Sequence, residues 1–344
     1  MSRSSHENAG EPGNRQRTVQ LKCLVLGGGG FIGLNLCEAL VAASHQVRVF
    51  ERPRLTVEGA EGPVAHDSVS GVEWVEGDFA NRADLDDVVS GCDIVFHLIC
   101  TTLPGTSNGN PVYDIESNVI STIRLLDAAR AAKVKKVVFI SSGGTVYGIP
   151  TKLPISEDHP NAPICSYGIT KLAVERYLYL YHYLYGLDYC VLRVANPFGE
   201  RQRAASAQGA VAVFLHRALR NEPVEIWGDG SVVRDYVYIG DVVSAFMKAI
   251  EYSGNIRTFN IGSGRGCSLN ELLQTIESVL QRPIERIHLE PRAVDVPVNV
   301  LDIGAAKTFL QWQPATPLRE GLSKTLAWMR EQRARRISGL GGVA

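Results

Sequence analysis

Tyr167 and Lys171 stand four residues apart in Ser166-Tyr-Gly-Ile-Thr-Lys171. On a helix, positions i and i+4 share a face. The Lys171 ammonium would then sit beside the Tyr167 hydroxyl and favour its phenolate. A phenol with a pKa of about 10 is a poor base at neutral pH. One with a lowered pKa, held beside an oxidising cofactor, takes a proton from an alcohol as its hydride leaves. Far upstream lies a glycine-rich turn, Gly27-Gly-Gly-Gly30-Phe-Ile-Gly33. Residues without a Cβ let the backbone approach a pyrophosphate, and a helix N-terminus favours its charge. In this order the two motifs imply a nucleotide cofactor beside an activated phenol, with Gly27, Gly30, Phe31, Ile32 and Gly33 at the phosphates.

The elements that must position these residues follow from hydrophobic periodicity. Short apolar runs at 21–26, 47–50, 72–75, 94–98, 136–141 and 191–194 read as buried strands. Helical patterns lie between them, at 31–43 (Ile32, Leu36 and Leu40 on one stripe) and 112–132. Such alternation predicts an α/β fold, a Rossmann-type doubly wound parallel sheet with its ligands along the C-terminal strand edge. After Asn196 the pattern changes to helices at 209–221, 241–253, 269–280 and 318–333, with short strands such as 224–227. This predicts a smaller α/β C-terminal substrate lobe. The expected organisation is a disordered tail at 1–17, a cofactor domain at 18–195 to which 236–250 returns, a substrate lobe at 196–333 and a tail at 334–344.

Several further residues fall on the ligand edge. Glu51 closes the second strand, where an acid accepts hydrogen bonds from the adenosine ribose and repels a 2′-phosphate. That favours NAD over NADP, although Arg52 and Arg54 could bind such a phosphate. Asp78 and Phe79 follow the third strand and would edge the adenine, a plain loop start being the alternative. Leu98 and Ser141 end the fourth and fifth strands on the cofactor side. In Ser141-Ser-Gly-Gly-Thr-Val-Tyr-Gly148, a hydroxyl of Ser142 or Thr145 could orient a substrate alcohol against the phenol. A turn that merely caps the strand is the alternative.

The bulk numbers suit a soluble globular enzyme. Of 344 residues, 45% are hydrophobic and 21% charged, and the net charge of −1 argues against nucleic-acid or membrane binding. The basic cluster from Arg330 to Arg336 reads as a solvated helix end. No apolar run reaches the length of about 18 residues that a spanning helix needs, and the polar start reads as neither signal peptide nor anchor. Seven scattered cysteines with no Cys-x-x-Cys pair suggest neither a metal site nor a disulfide framework. The cytoplasm is the expected compartment.

On these motifs the chain resembles the extended short-chain dehydrogenase/reductases, specifically the NAD-dependent nucleotide-sugar epimerase/dehydratase family, and is most like its UDP-glucose 4-epimerases. Asn196-Pro-Phe-Gly-Glu-Arg-Gln202 and Arg234-Asp-Tyr-Val-Tyr-Ile-Gly-Asp241 fit the same family. The resemblance runs from Gly27 to about Leu301. It implies NAD-dependent epimerisation of a nucleotide-activated hexose at C4 through a transient 4-keto sugar. Tyr167 would be the base and Lys171 would hold the nicotinamide ribose. Asn118 would support the site from a helix. Asn196, Arg234 and Arg292 would contact the diphosphate, with Asp295 on the ribose and Trp227 near the uracil. Thr102 would line the substrate side. Asn299 falls on a position that gates sugar size, where asparagine leaves room for an N-acetyl group. The helix 167–185, with tyrosines at 177, 181 and 185 on one face, would pair with a second copy in a homodimer.

Three departures sharpen the expectation. Gly143 stands where the epimerases carry a catalytic serine or threonine, which leaves the role to Thr145 or Ser142. The dehydratases carry an acid pair at the places of Gly144 and Thr145, and the decarboxylases a glutamate at Thr145, so elimination and decarboxylation lack their acids here. The fourth strand reads His97-Leu-Ile-Cys100-Thr-Thr102 instead of the common His-x-Ala-Ala. A reductase of a nucleotide-linked 4-keto sugar is the runner-up activity, and a non-catalytic NAD-binding sensor the alternative of another class.

Overall fold

The computed structural model describes residues 19–53, 69–202, 209–290 and 296–340. The chain opens with β1 (Lys22–Leu26), α1 (Phe31–Ala42), β2 (Gln46–Glu51), β3 (Val72–Glu76), α2 (Arg82–Val89) and β4 (Ile94–His97). A composite helix follows, made of α3 (Pro111–Asp114), a π-helical segment (Ile115–Ile120) and α4 (Ser121–Ala131). Next come β5 (Lys136–Ser142), α5 (Ser166–Tyr185), β6 (Asp188–Val194) and β7 (Asn196–Phe198). Then α6 (Ala210–Leu219), β8 (Val224–Trp227), β9 (Val233–Tyr238), α7 (Ile239–Glu251) and β10 (Thr258–Ile261). The rest is β11 (Gly266–Ser268), α8 (Leu269–Leu280), β12 (Arg286–Leu289), β13 (Val298–Asn299), α9 (Gly304–Thr308) and α10 (Leu318–Leu340).

Seven strands form one parallel sheet in the order β10-β6-β5-β4-β1-β2-β3. Its central strands are mostly apolar because helices cover both faces, with a few buried polar residues such as His97 and Arg193. Val25, Val49, Phe96 and Val138 pack with α1 and α7 on one face. Leu24, Val95, Val137 and Val191 pack with α2, α4 and α5 on the other. Strand order reverses between β1 and β4, paired through Leu26 and His97, and a crevice at their C-terminal ends is the expected ligand site.

The sheet draws on more of the C-terminal half than the 236–250 return anticipated from sequence. Strand β10 pairs with β6, Thr258 opposite Val191. Its buried Asn260 hides it from a hydrophobic pattern. That side chain donates to the carbonyls of Ile155 (2.9 Å) and Asp302 (3.1 Å) and accepts from the Tyr147 hydroxyl (2.6 Å), so burying it costs little. The second lobe has its own core of Phe198, Phe214, Ile226, Leu272 and Leu322. Two small sheets face it, β11-β9-β13 with β7 on β9, and β12-β8.

Candidate active site

The glycine turn leaves β1 and enters α1 with no room for side chains. Gly27 takes a φ of +81°, favoured by glycine, and its N–H donates to the Phe50 carbonyl at 3.0 Å. A Cβ on Gly33 would lie 2.4 Å from the Gly27 oxygen. Gly30 caps α1 without a side chain, so the first helical N–H groups are left to a ligand or solvent. Glu51 accepts the Gly29 N–H at 3.0 Å, which fixes its carboxylate at the turn. A cleft of about 340 Å³ opens here, lined by Gly27, Gly30, Glu51, Arg52, Phe79, Leu98 and Thr101 among others. Phe31 and Ile32 are half-buried on the first turn of α1, packed against the core. A backbone cradle that a Cβ would fill, an uncapped helix start and an acid at the strand end fit a dinucleotide. Asp78 is set apart: it is exposed, and its carboxylate accepts the Ala80 N–H at 2.9 Å in the turn before α2.

Tyr167 and Lys171 lie on the first turns of α5 and share a face as the spacing demands. The Lys171 ammonium sits 5.6 Å from the Tyr167 ring centroid and 4.7 Å from that of Phe139, and donates to the Ile140 carbonyl at 3.0 Å. The expected lowering of the phenol is not met by the protein's own groups. Burial pushes Tyr167 up, and the potential negative charges of Cys100, Cys165 and Asp114 add to it. Burial also pushes Lys171 down. The physical reason is first that both groups lose water, and the ammonium is engaged by the Ile140 carbonyl and two ring faces. Beneath them His97 is buried, bonded to the Thr122 hydroxyl at 2.8 Å and pushed down to about 3, so it is neutral.

The end of β5 and the loop after it hold Ser141 and the two candidate hydroxyls, Ser142 and Thr145, in different surroundings. Ser141 is buried and donates to Glu175, so its hydroxyl does not reach the cofactor edge as expected. Glu175 in turn takes two bonds from Arg193, at 3.0 and 2.6 Å. Ser142 is half-buried at the end of β5. Thr145 holds a buried Oγ1 with no hydrogen-bond partner, and its carbonyl abuts Gly168, where a Cβ would come within 2.8 Å. The glycine at 143 has a packing cause: a Cβ there would lie 2.5 Å from Leu301 Cδ1. Asn299, buried, donates to the Gly143 carbonyl at 3.1 Å and leaves its own Oδ1 unpartnered. Thr145, two residues after Gly143, and Asn299, bonded to the Gly143 carbonyl, thus each hold a buried polar atom with no partner. Each costs about 1–3 kcal/mol unless a ligand satisfies it.

The substrate-side residues gather on the small sheet. Arg234 stands opposite Asn299 in register, and Asn196 opposite Tyr236, two residues along β9. Arg234 donates to the Val296 carbonyl at 2.6 Å and Asn196 to the Asp235 carbonyl at 3.1 Å. Trp227, 38% exposed, ends β8 on the neighbouring sheet. Arg292 and Asp295 lie outside the described residues. Thr102 and Asn118 are both buried and donate to Asp114 Oδ1, at 2.6 and 2.8 Å, and Asn118 also accepts the N–H of Thr101, which lines the cleft, at 3.1 Å. Asp114, Ser107, Asn108, Glu175 and Arg193 escaped the sequence reading. The pair Asp114/Asn118 at i, i+4 and the turn signal Asn108-Gly-Asn-Pro111 were the available hints. Among the described residues no His, Cys, Asp or Glu cluster suits a metal ion, and no helix is long and apolar enough to cross a membrane.

A glycine-turn cleft at a sheet's switch point, beside a Tyr-x-x-x-Lys pair on the next helix but two, defines a dinucleotide-dependent protein of the short-chain dehydrogenase/reductase type. The chain belongs to the NAD dependent epimerase/dehydratase family, whose model matches residues 23–262. It is 37% identical to the UDP-glucose 4-epimerase of Mycolicibacterium smegmatis over 91% of this chain and 99% of the relative. It is 33% identical to a dTDP-4-dehydro-6-deoxyglucose reductase of Escherichia coli, over 89% of this chain and 97% of the relative. The crystal structure of the Thermotoga maritima UDP-glucose 4-epimerase with UDP-glucose superposes with a TM-score of 0.84 at 35% identity, covering 91% of this chain and all of that one.

Proposed function

We propose that the protein epimerises a UDP-hexose at C4, using NAD that is regenerated in each cycle. The observation that carries this reading is the Tyr167/Lys171 pair on one face of α5, near Cys100, which also lines the glycine-turn cleft. The likeness to UDP-glucose 4-epimerases over nine-tenths of the chain supports it. Gly27, Gly30 and Gly33 would hold the cofactor pyrophosphate, Glu51 the adenosine ribose and Lys171 the nicotinamide ribose. Bound NAD supplies a reversible hydride acceptor. Tyr167 removes the O4 proton and returns it after the flat 4-keto sugar has turned in its pocket. Tyr167 would be held protonated by burial in the free protein, and a positive nicotinamide ring bound beside Lys171 would favour its phenolate. Thr145, with its orphaned hydroxyl, would orient O4, with Ser142 as the other candidate. Arg234, Asn196 and Arg292 would bind the diphosphate, where a guanidinium engages two oxygens.

Asn299 is the proposed sugar gate. Replacement by tyrosine is expected to lower kcat/KM for UDP-N-acetylglucosamine relative to UDP-glucose, about tenfold. Equal turnover of the N-acetyl sugar by both proteins sinks the gate. Tyr167→Phe is expected to reduce turnover by about 100- to 10,000-fold while the protein keeps its NAD. Full activity in that variant removes Tyr167 from the chemistry. The direct test is conversion of UDP-glucose to UDP-galactose with no net change in nicotinamide absorbance. Net consumption of reduced cofactor would favour the second reading, a reductase of a nucleotide-linked 4-keto sugar, which the Escherichia coli relative supports.

A cytoplasmic homodimer completes the proposal. All seven cysteines are free, as in a reducing compartment. Tyr181 and Tyr177 pack inward, but Ile169, Tyr179, Tyr183 and Leu184 on α5 are more than half exposed. A second copy's α5 is the proposed cover for this face. A monomeric mass in light scattering, unchanged by Leu184→Glu, removes it.

A further inference from the structure

Helix α5 does not cap its own start. Its N-cap, Cys165, makes no side-chain capping bond, although the next residue but one is Tyr167. The free N–H groups of the first turn are met instead by another segment. The Ser166 N–H donates to Asn108 Oδ1 at 2.8 Å and the Tyr167 N–H to Ser107 Oγ at 3.1 Å. Ser166 adds its hydroxyl, which donates to Asp114 Oδ2 at 2.6 Å. Asp114 has no exposed surface. Its other oxygen takes the Thr102 hydroxyl at 2.6 Å and the Asn118 amide at 2.8 Å. The carboxylate thus ties three pieces of chain together: the loop after β4, the π-helical segment and the first turn of α5. Its donors are hydroxyls and an amide, and no salt bridge reaches it among the described residues. A negative charge at a helix start is favourable.

We propose that Asp114 is a positioning residue for Tyr167: through Ser166 it holds the first turn of α5 against the 101–118 wall and sets the field at the phenol. This rests on the reading of Tyr167 as the acid–base group. The charged or titratable groups that face Tyr167 are Lys171 on its own helix, Cys165 at its N-cap, Cys100 after β4, and Asp114. The Asp114 anion opposes the phenolate and favours the Lys171 ammonium. Geometry and charge therefore act in opposite directions on the base, and a neutral isostere separates them.

The test uses Asp114→Asn and Ser166→Ala in the NAD-loaded protein. In Asp114→Asn, kcat is expected to fall by about 10- to 100-fold, as a reacting group misplaced by about 1 Å predicts, with KM changed less than about threefold. The Tyr167 titration, read as an ultraviolet difference against Tyr167→Phe in each background, is expected to move to lower pH. Ser166→Ala should lower kcat less and leave the titration in place, because the charge remains. Unchanged kcat in both variants overturns the proposal. So does an unshifted titration in Asp114→Asn, or a loss of kcat matched by a loss of Tm with no shift. Should Asp114→Asn fail to fold, Ser166→Ala decides by its kcat alone. The titration needs no sugar, so a wild-type protein that turns over no UDP-sugar counts against the epimerase reading and leaves this test standing.

Discussion

Asp114 and Glu175 are both buried carboxylates bonded to a serine hydroxyl, Ser166 in one case and Ser141 in the other. Glu175 faces a guanidinium. Arg193 reaches both of its oxygens and also the Tyr147 hydroxyl at 2.9 Å, and Tyr147 continues the chain to Asn260 on β10. Among the described residues no salt bridge reaches Asp114, whose bonds come from hydroxyls and an amide. The first arrangement cancels its charge where it stands and stitches β5, β6 and β10 to α5. The second leaves a charge to be felt by its neighbours, which are Tyr167 and Lys171. A buried polar network can thus serve the sheet or the phenol, and the presence of a counter-ion marks which.

The comparison can be broken most forcefully at Arg193. Arg193→Met leaves Glu175 charged and unpaired, and is expected to cost about 3–5 kcal/mol of stability in denaturant unfolding. Adding Glu175→Leu should recover much of that loss. A double variant no more stable than the single would show that Glu175 does not depend on Arg193. A smaller effect is expected from Gly143→Ser, which forces a Cβ toward Leu301 and should cost about 1–3 kcal/mol. With Leu301→Val the two losses should be less than additive; strict additivity in Tm would mean the contact is not what excludes a side chain at 143. A change of similar size in stability, and none in kcat, is expected from Ser141→Ala. It removes one hydrogen bond to a charged partner, about 1.5–3 kcal/mol at most, and should leave kcat as in wild type. A kcat loss as large as that of Ser166→Ala would erase the distinction between the two carboxylates.

The sequence made the local features of this molecule legible. Strands β1 to β6 are short apolar runs, and the glycine turn is defined by residues in direct succession, so each could be read from a window of a few residues. Helix 112–132 was read as one regular element, whereas the chain passes through a π-helical segment at Ile115–Ile120. Strand β10 was lost because Asn260 breaks its apolar run while paying off its polarity with three hydrogen bonds. Spacing puts Tyr167 and Lys171 on one face of α5, but it says nothing of the burial that raises the phenol, because two positions do not tell which atoms surround them. Asp114 was invisible for a similar reason. Its partners are at 102, 118 and 166, and only the fold brings the three together.

The π-helical segment has a consequence for chain length. Its bonds run from i to i+5, so it holds a residue more than an α-helix would over the same span. Deleting one residue between 115 and 120 would let a regular helix run from Pro111 to Ala131. Because the wider turn is what absorbs the extra residue, the two flanks would keep their phase, Asp114 toward Ser166 and Thr122 under His97, and the change would fall on the turn that carries Asn118. A one-residue gap here in an alignment of relatives would therefore mark proteins whose helix is regular at this turn, with the Asp114 tie kept and the setting of Asn118 changed.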